Sequence, residues 1–163
     1  MAFPDLTDIR SRVWYLMNES SSSTFLPSVV LDRFINEAER DIAAKAGCLE
    51  SIDAASTTAS TRTVRFSGHK IKDIEYIPAS GNRIGLQQLT IKHFGSVQLS
   101  GSTPEFFCQW GNNALIEPLP GTTLYSLYLY LSDYPQTEMS EDTDEPSIPS
   151  SFHEDIVQYA TFL

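Results

Sequence analysis

The chain has 163 residues, 11 Lys and Arg against 21 Asp and Glu, a net charge of −10 and 41% hydrophobic residues. That length suits one domain, or one domain carrying a large insertion, and the hydrophobic content is too high for a disordered chain. No apolar run approaches the roughly 20 residues that span a bilayer, and the opening MAFPDLTDIR lacks the basic and apolar regions of a secretory signal. Cys48 and Cys108 are too few for a disulfide framework, so a soluble intracellular product is expected. Charge is unevenly spread: through Lys92 there are 11 basic and 11 acidic residues, and from His93 onward ten acidic and none basic. Such a surface repels phosphate, which excludes tight nucleic-acid binding and docking to an anionic membrane, though not a wall past which DNA slides.

Two helices open the chain. Leu6, Ile9, Val13, Leu16 and Met17 recur at helical spacing over about 6–18, with Asp5 and Asp8 complementing the positive end of the dipole. A polar run, 19–24, breaks this helix. A second begins at Pro27 with Ser28 as expected N-cap, buries Leu31, Phe34, Ile35, Ala38, Ile42 and Ala46, and ends at Gly47. Arg33, Glu37, Arg40 and Asp41 fill its opposite face, Arg33 and Glu37 at i,i+4 spacing. Residues 53–63, rich in Ala, Ser and Thr, read as a connector. Strands are then expected at 63–66, 71–77, 86–93, 96–99, 105–110, 114–117 and 124–134, separated by turns such as Ser67-Gly68 and Pro120-Gly121. In the last of these Leu127, Leu129 and Leu131 alternate with Tyr128, Tyr130 and Ser132, placing leucines inward and tyrosines outward or at an interface. Residues 135–149 read as an extended acidic linker containing Glu138, Glu141, Asp142, Asp144 and Glu145. A third helix follows, with Ser151 and Glu154 at capping-box spacing and Phe152, Ile156, Val157 and Ala160 as its buried stripe. It reaches Leu163 with no cap, which is expected of a longer chain trimmed at that point.

The expected architecture is α+β: a small helical bundle from 1–50 and 146–163, with an inserted antiparallel β-module over 51–145 that ends in the acidic linker. A three-turn helix is marginal alone, so the third helix is expected to pack on the opening pair.

Catalytic chemistry finds no support in the sequence. His69, His93 and His153 lie in no hydrolase or metalloprotease signature, Cys48 follows a helix C-terminus that disfavours a thiolate, and Cys108 alternates within a strand. No CxxC, EF-hand loop or phosphate-cradling glycine motif is present, so neither metal nor cofactor is expected and the chain is read as no enzyme. Trp110, Tyr125, Tyr128, Tyr130 and Tyr134 admit two readings, a sugar-stacking platform or interface and sheet residues. A viral carbohydrate-binding or fibre-docking module is accordingly the alternative function.

Four segments carry a family resemblance: LDRFINEAERDIA (31–43), GSTPEFFCQW (101–110), IEPLP (116–120) with the strand to Pro135, and IPSSFHEDIVQYA (148–160). In this order they resemble the head-to-tail adaptor, or neck, proteins of tailed bacteriophages over about 6–163. The resemblance implies a structural virion protein at the head–tail junction, assembled in the host cytoplasm. Such a protein forms a ring, expected to be dodecameric, below the portal, extends the channel for genomic DNA without binding it specifically, and docks tail, nozzle or fibre proteins. Because the polar chain lacks one long continuous apolar face, its subunits are expected to associate weakly alone and to order as a ring on the portal. In the related adaptors a C-terminal segment engages the portal, and this chain is expected to stop before it. Tyr125, Tyr128, Tyr130, Trp110, Arg33 and Arg40 are the candidate interface residues. Glu138, Glu141, Asp142, Asp144 and Glu145 are the candidate channel-facing acids.

Overall fold

The computed structural model describes residues 4–21, 24–78, 81–94 and 101–163, so the strand expected at 96–99 lies outside the described residues. The fold is α+β, in two compact units: residues 1–49 with 134–163, and residues 50–133.

The first unit is helical, built from α1 (Leu6–Leu16), α2 (Ser28–Ala46) and a C-terminal helix, His153–Phe162. The Asp5 side chain caps α1 by accepting from the Asp8 amide at 2.9 Å. At the other end Asn18 adopts φ 56°, the Glu19 amide donates to the Trp14 carbonyl and the Asn18 amide to that of Tyr15. These are the paired bonds of a Schellman stop, with Asn in the left-handed position that glycine usually fills. Leu6, Ile9 and Val13 are fully buried, but Leu16, expected beside them, is 52% exposed, and Trp14 is buried in its place with its indole donating to the Leu26 carbonyl. In α2 the N-cap is Pro27, in extended backbone, and Ser28 is the first helical residue with no capping bond. Proline's preset φ and missing N–H suit the start of a helix and displace the expected serine cap. Leu31, Ile35, Ala38 and Ala43 are buried, Phe34 and Ile42 half-buried, and Ala46 exposed. Glu39, 1% exposed, sits in the same line. Gly47 ends α2 at φ 59°.

The expected capping box of the C-terminal helix does not form. A 3-10 turn, Ser150–Phe152, runs straight into it, leaving its N-cap, Phe152, at φ −104° and ψ −2° instead of the extended conformation a serine cap requires. Residues 135–149, expected as a solvated linker, form a strap bound to this unit: Met139 and Ile148 enter the helical core at 4% and 2% exposure.

The second unit is a small sandwich. Its strands are β1 (Glu50–Ser56), β2 (Thr63–Arg65), β3 (Lys70–Ile77), β4 (Ile84–Gly85), β5 (Gln87–Gln88), β6 (Phe106–Trp110), β7 (Asn113–Glu117) and β8 (Ser126–Ser132). One sheet has the order β1-β8-β3-β4 and the other β2-β7-β6-β5. All pairings are antiparallel except that of β5 with β6. Leu127, Leu129, Leu131, Ile71 and Ile74 from the first sheet join Val64, Phe107 and Ile116 from the second in one core. Gly68 lies against Leu131, where an added Cβ stands 2.8 Å from the leucine Cβ, so the turn admits no larger residue.

Two expectations change here. The connector at 53–63 begins as strand: β1 pairs with β8 along its whole length, from Glu50 opposite Ser132 to Ser56 opposite Ser126. The strand expected at 86–93 breaks after two paired residues, because Thr90 starts a short helix, α3 (Ile91–Phe94). Thr90 accepts the Phe94 amide on its carbonyl and holds its hydroxyl 3.2 Å from His93 Nδ1. The C-terminal helix, following in chain order, is α4.

Candidate interaction surfaces

The best organised surface lies on the outer side of the first sheet. Residues directly opposite in an antiparallel pair share a face. The register of β1, β8 and β3 therefore builds one row of Ile52, Tyr130 and Asp73 and another of Ala54, Tyr128 and Glu75. The β8 leucines point into the core, which leaves both tyrosines half-buried on the outer side. Arg83, just before β4, ties them together. Its guanidinium lies 4.6 Å over the Tyr128 ring, donates to the Tyr130 hydroxyl at 2.8 Å and reaches Glu75 at 3.4 Å. Tyr130 donates in turn to Glu75 Oε2 at 2.7 Å, and this bond to a carboxylate holds the phenol above its ordinary pKa.

A bulge between Ile71 and Asp73 brings Lys72 onto Glu50. That ion pair, with Ile52 and Tyr130, frames a shallow cleft of about 460 Å³. Ile52 is 64% exposed. On this face Arg83 pairs with Glu75 and Lys72 with Glu50, while Asp73 and Ile52 stand exposed.

The other aromatic candidates lie elsewhere. Tyr125 packs edge-on against Tyr76, ring centroids 5.4 Å apart, at the margin of the core. Trp110, 60% exposed, ends β6 in the second sheet. Tyr134 belongs to the helical unit, under the Arg40 guanidinium at 5.7 Å. Within the β unit, Tyr125, Trp110 and the Tyr128–Tyr130 pair thus occupy different places, not one row. Arg33 and Arg40 are both exposed and line one cleft of about 510 Å³ between α2 and the strap, with Val29, Asn36, Glu138 and Met139 on its walls.

The strap is positioned by side chains that imitate backbone. The Asn36 amide grips Met139 in both directions, donating to its carbonyl at 2.9 Å and accepting from its N–H at 2.8 Å. Three residues along α2, Glu39 accepts from the Ser147 amide at 2.6 Å and the Ile148 amide at 3.3 Å. Burial pushes the Glu39 carboxyl above its ordinary range, and the two N–H donors and nearby His153 counter only part of that. His153 holds the Ile148 carbonyl at 2.9 Å through Nε2. From α1, Arg10 pairs with Asp32 and Asp142, and the Leu6 amide donates to the Asp144 carbonyl at 2.8 Å.

The five acids thus divide. Asp144 accepts from the Ser140 and Glu141 amides, which hold its carboxyl below the usual range, and Asp142 is taken up by Arg10. Glu138, Glu141 and Glu145 stand exposed, with no ion-pair partner among the described residues. Asn36 and Glu39 escaped the sequence reading, although Glu39 follows Leu31 and Ile35 at i+8 and i+4, squarely on the apolar line. For Arg83 and Ile52 the sequence offered no comparable signal.

Cys108 is buried, and desolvation raises its thiol pKa; Cys48 is half-buried. Among the described residues no three His, Cys, Asp or Glu side chains are grouped to hold a metal, and no helix is long and apolar enough to cross a membrane. Charge segregates between the units. The helical unit holds five basic and fourteen acidic residues, whereas the β unit holds six and seven.

The fold is thus an acidic helical unit and a β-sandwich whose first sheet carries Tyr128, Tyr130 and Arg83 on its outer side. The sequence model of the SU10 adaptor protein family matches residues 1–163, and the chain belongs to this family. It is a bacteriophage adaptor, a structural component of the virion that works through other head and tail proteins, in agreement with the resemblance carried by its four segments. A comparison with curated proteins returns no match.

Proposed function

We propose that the chain is a head-to-tail adaptor that assembles, in the host cytoplasm, into a ring below the portal, dodecameric as in the proteins it resembles. The ring extends the DNA channel and offers its lower side to tail, nozzle or fibre proteins. The observation that carries this reading is the family match along the whole chain. The outer face of the first sheet supports it as a surface for subunit contacts, because Tyr128, Tyr130 and Arg83 are of the types enriched where proteins meet. The acidic helical unit supports a wall that does not grip phosphate. Assembly by shape and charge requires no reaction, so no residue is given a catalytic role.

Cryo-electron microscopy of the intact particle tests the reading. Ring density at the neck that accommodates the three-helix unit and the sandwich is expected. Density for this chain on distal fibres instead, or its absence from the particle, refutes it and favours the fibre-docking alternative.

A further inference from the structure

The first sheet ends in two strands that pair on one side only, β1 and β4. In an antiparallel ladder, alternate residues turn their N–H and C=O groups toward the partner strand and away from it. The Thr57 amide donates to the Tyr125 carbonyl, which extends the β1–β8 register by one pair and fixes that alternation. Ser51, Asp53 and Ala55 therefore bond β8, while Glu50, Ile52, Ala54 and Ser56 turn their backbone groups outward. The side chains of these four are exposed, and their outward backbone groups have no hydrogen-bond partner among the described residues. Edge strands are normally guarded by proline, lysine, a bulge or an inward charge. Over its seven residues β1 has no proline, lysine or register break, and its inward Asp53 is taken up by the Ser67 amide and hydroxyl. At the opposite edge the Leu86 amide donates to the Ile74 carbonyl, so Ile84 faces β3 while Arg83 and Gly85 face away. Gly85 is exposed, and a Cβ added there meets no atom within 4 Å.

We propose that β1 of one copy pairs with the β4 edge of a second copy, so that the first sheets of neighbouring subunits join edge to edge around the ring. The proposal rests on the ring reading and names a lateral contact within it. Strand direction selects the occupant. β1 pairs antiparallel with β8, β8 with β3 and β3 with β4, so β1 and β4 run in opposite directions. Neighbours in a ring of many subunits differ by a small rotation and keep nearly the same orientation. Their meeting edges are then antiparallel, the more stable pairing, because the sheet has an even number of strands. The contact joins two different edges of identical subunits, the head-to-tail type that closes into rings. A strand from another protein would fill β1 and leave β4 open. The edge residues carry one charge of each sign, Glu50 on β1 and Arg83 beside β4, so the seam sets no like charges of these residues together. Arg83 and Gly85 offer only about four hydrogen bonds, in keeping with subunits that associate weakly alone.

Proline tests the two edges separately, since it deletes an N–H and is tolerated on edge strands where that N–H faces outward. Variant one is Ala54→Pro and variant two is Gly85→Pro; circular dichroism and thermal unfolding confirm that each remains folded. Self-association is followed by sedimentation equilibrium up to about 1 mM. Each variant alone is expected to associate at least about tenfold more weakly than the wild type. Their equimolar mixture is expected to stop at a dimer, because variant one keeps its β4 edge and variant two its β1 edge. Variant two associating like the wild type overturns the contact, and if variant one alone is impaired, β1 pairs with its own copy instead.

Amide hydrogen exchange of the wild type, followed by NMR, reads the same contact without a substitution. The Gly85 amide and amides among Ile52, Ala54 and Ser56 are expected to exchange freely in dilute protein and to become protected together on concentration. Protection on β1 with none at Gly85, or wild-type protein that stays monomeric throughout, overturns the contact and leaves the ring reading intact. In the particle, a neck ring whose first sheets stand apart overturns the contact, whereas a neck without ring density overturns the ring reading itself.

Discussion

Glu39 offers the sharpest test of how the strap is held. Glu39→Ala removes the acceptor for the Ser147 and Ile148 amides, and Ile148 is only 2% exposed, so water does not readily replace it. A buried donor left unmatched costs about 1–3 kcal/mol, and the lost packing about 1 kcal/mol more. Relief from desolvating a carboxylate offsets part of this. The expected net loss is about 2 kcal/mol, which at a urea slope of about 2 kcal/mol per molar lowers the midpoint by about 1 M. Trp14 is buried in the helical unit and Trp110 lies in the β unit, so Trp14 fluorescence in a Trp110→Phe background reports the unit concerned. Glu39→Gln keeps one acceptor and is expected to cost about 1 kcal/mol or less at pH 7. The pH dependence separates burial from hydrogen bonding. Because burial raises the Glu39 pKa above its ordinary 4.5, the native state holds the proton more tightly than the unfolded chain. Its stabilising contribution is complete below that ordinary value and is lost as pH rises through the native pKa, so Glu39→Gln gains on the wild type as pH increases. Wild-type stability for Glu39→Ala, or a wild type that gains on Glu39→Gln with rising pH, refutes the reasoning.

Three further outcomes follow from single contacts. Gly68→Ala forces a methyl group onto Leu131 and is expected to cost about 1–3 kcal/mol by calorimetry, with no change in the helical transition seen by Trp14. Glu75→Gln removes the carboxylate that Tyr130 bonds, so the Tyr130 phenol titrates at lower pH in NMR of ring-labelled tyrosine; an unchanged or higher pKa contradicts the network. In native protein Cys48 reacts with a thiol reagent well before Cys108, and the two become equivalent only after unfolding.

What the sequence made legible followed from periodicity strong enough to survive tertiary packing. Leu6, Ile9, Val13, Leu31, Ile35, Ile156 and Val157 are buried where helical spacing put them, and Leu127, Leu129 and Leu131 are buried where alternation put them. The β1 strand was invisible because its inner residues are Ser51, Asp53 and Ala55 while Ile52 points outward, the reverse of the usual pattern. It is strand only because the neighbouring β8 offers seven residues to pair with. Ser28 and Ser151 carry good capping chemistry but sit at φ and ψ set by Pro27 and by the 3-10 turn, so local propensity yielded to the backbone path. The tyrosine face was half legible. Alternation put Tyr128 and Tyr130 outside, yet nothing in the sequence shows that Arg83, more than forty residues earlier, closes over both.

The acidic run shows why composition alone misjudged its own significance. Read as a string, Glu138 to Glu145 is five equivalent charges in a solvated linker. In the fold Asp142 and Asp144 are spent internally, one on Arg10 and the other on two backbone amides, and what they secure is the position of the rest. Only Glu138, Glu141 and Glu145 remain to face a channel, a neighbour or solvent. Three fixed charges are too few to govern DNA passage from a single subunit, but the proposed ring would repeat them in every copy at the same radius. Field strength on that scale is a property of the assembly, so charge substitutions that leave the isolated chain folded are expected to act on assembly and genome passage instead.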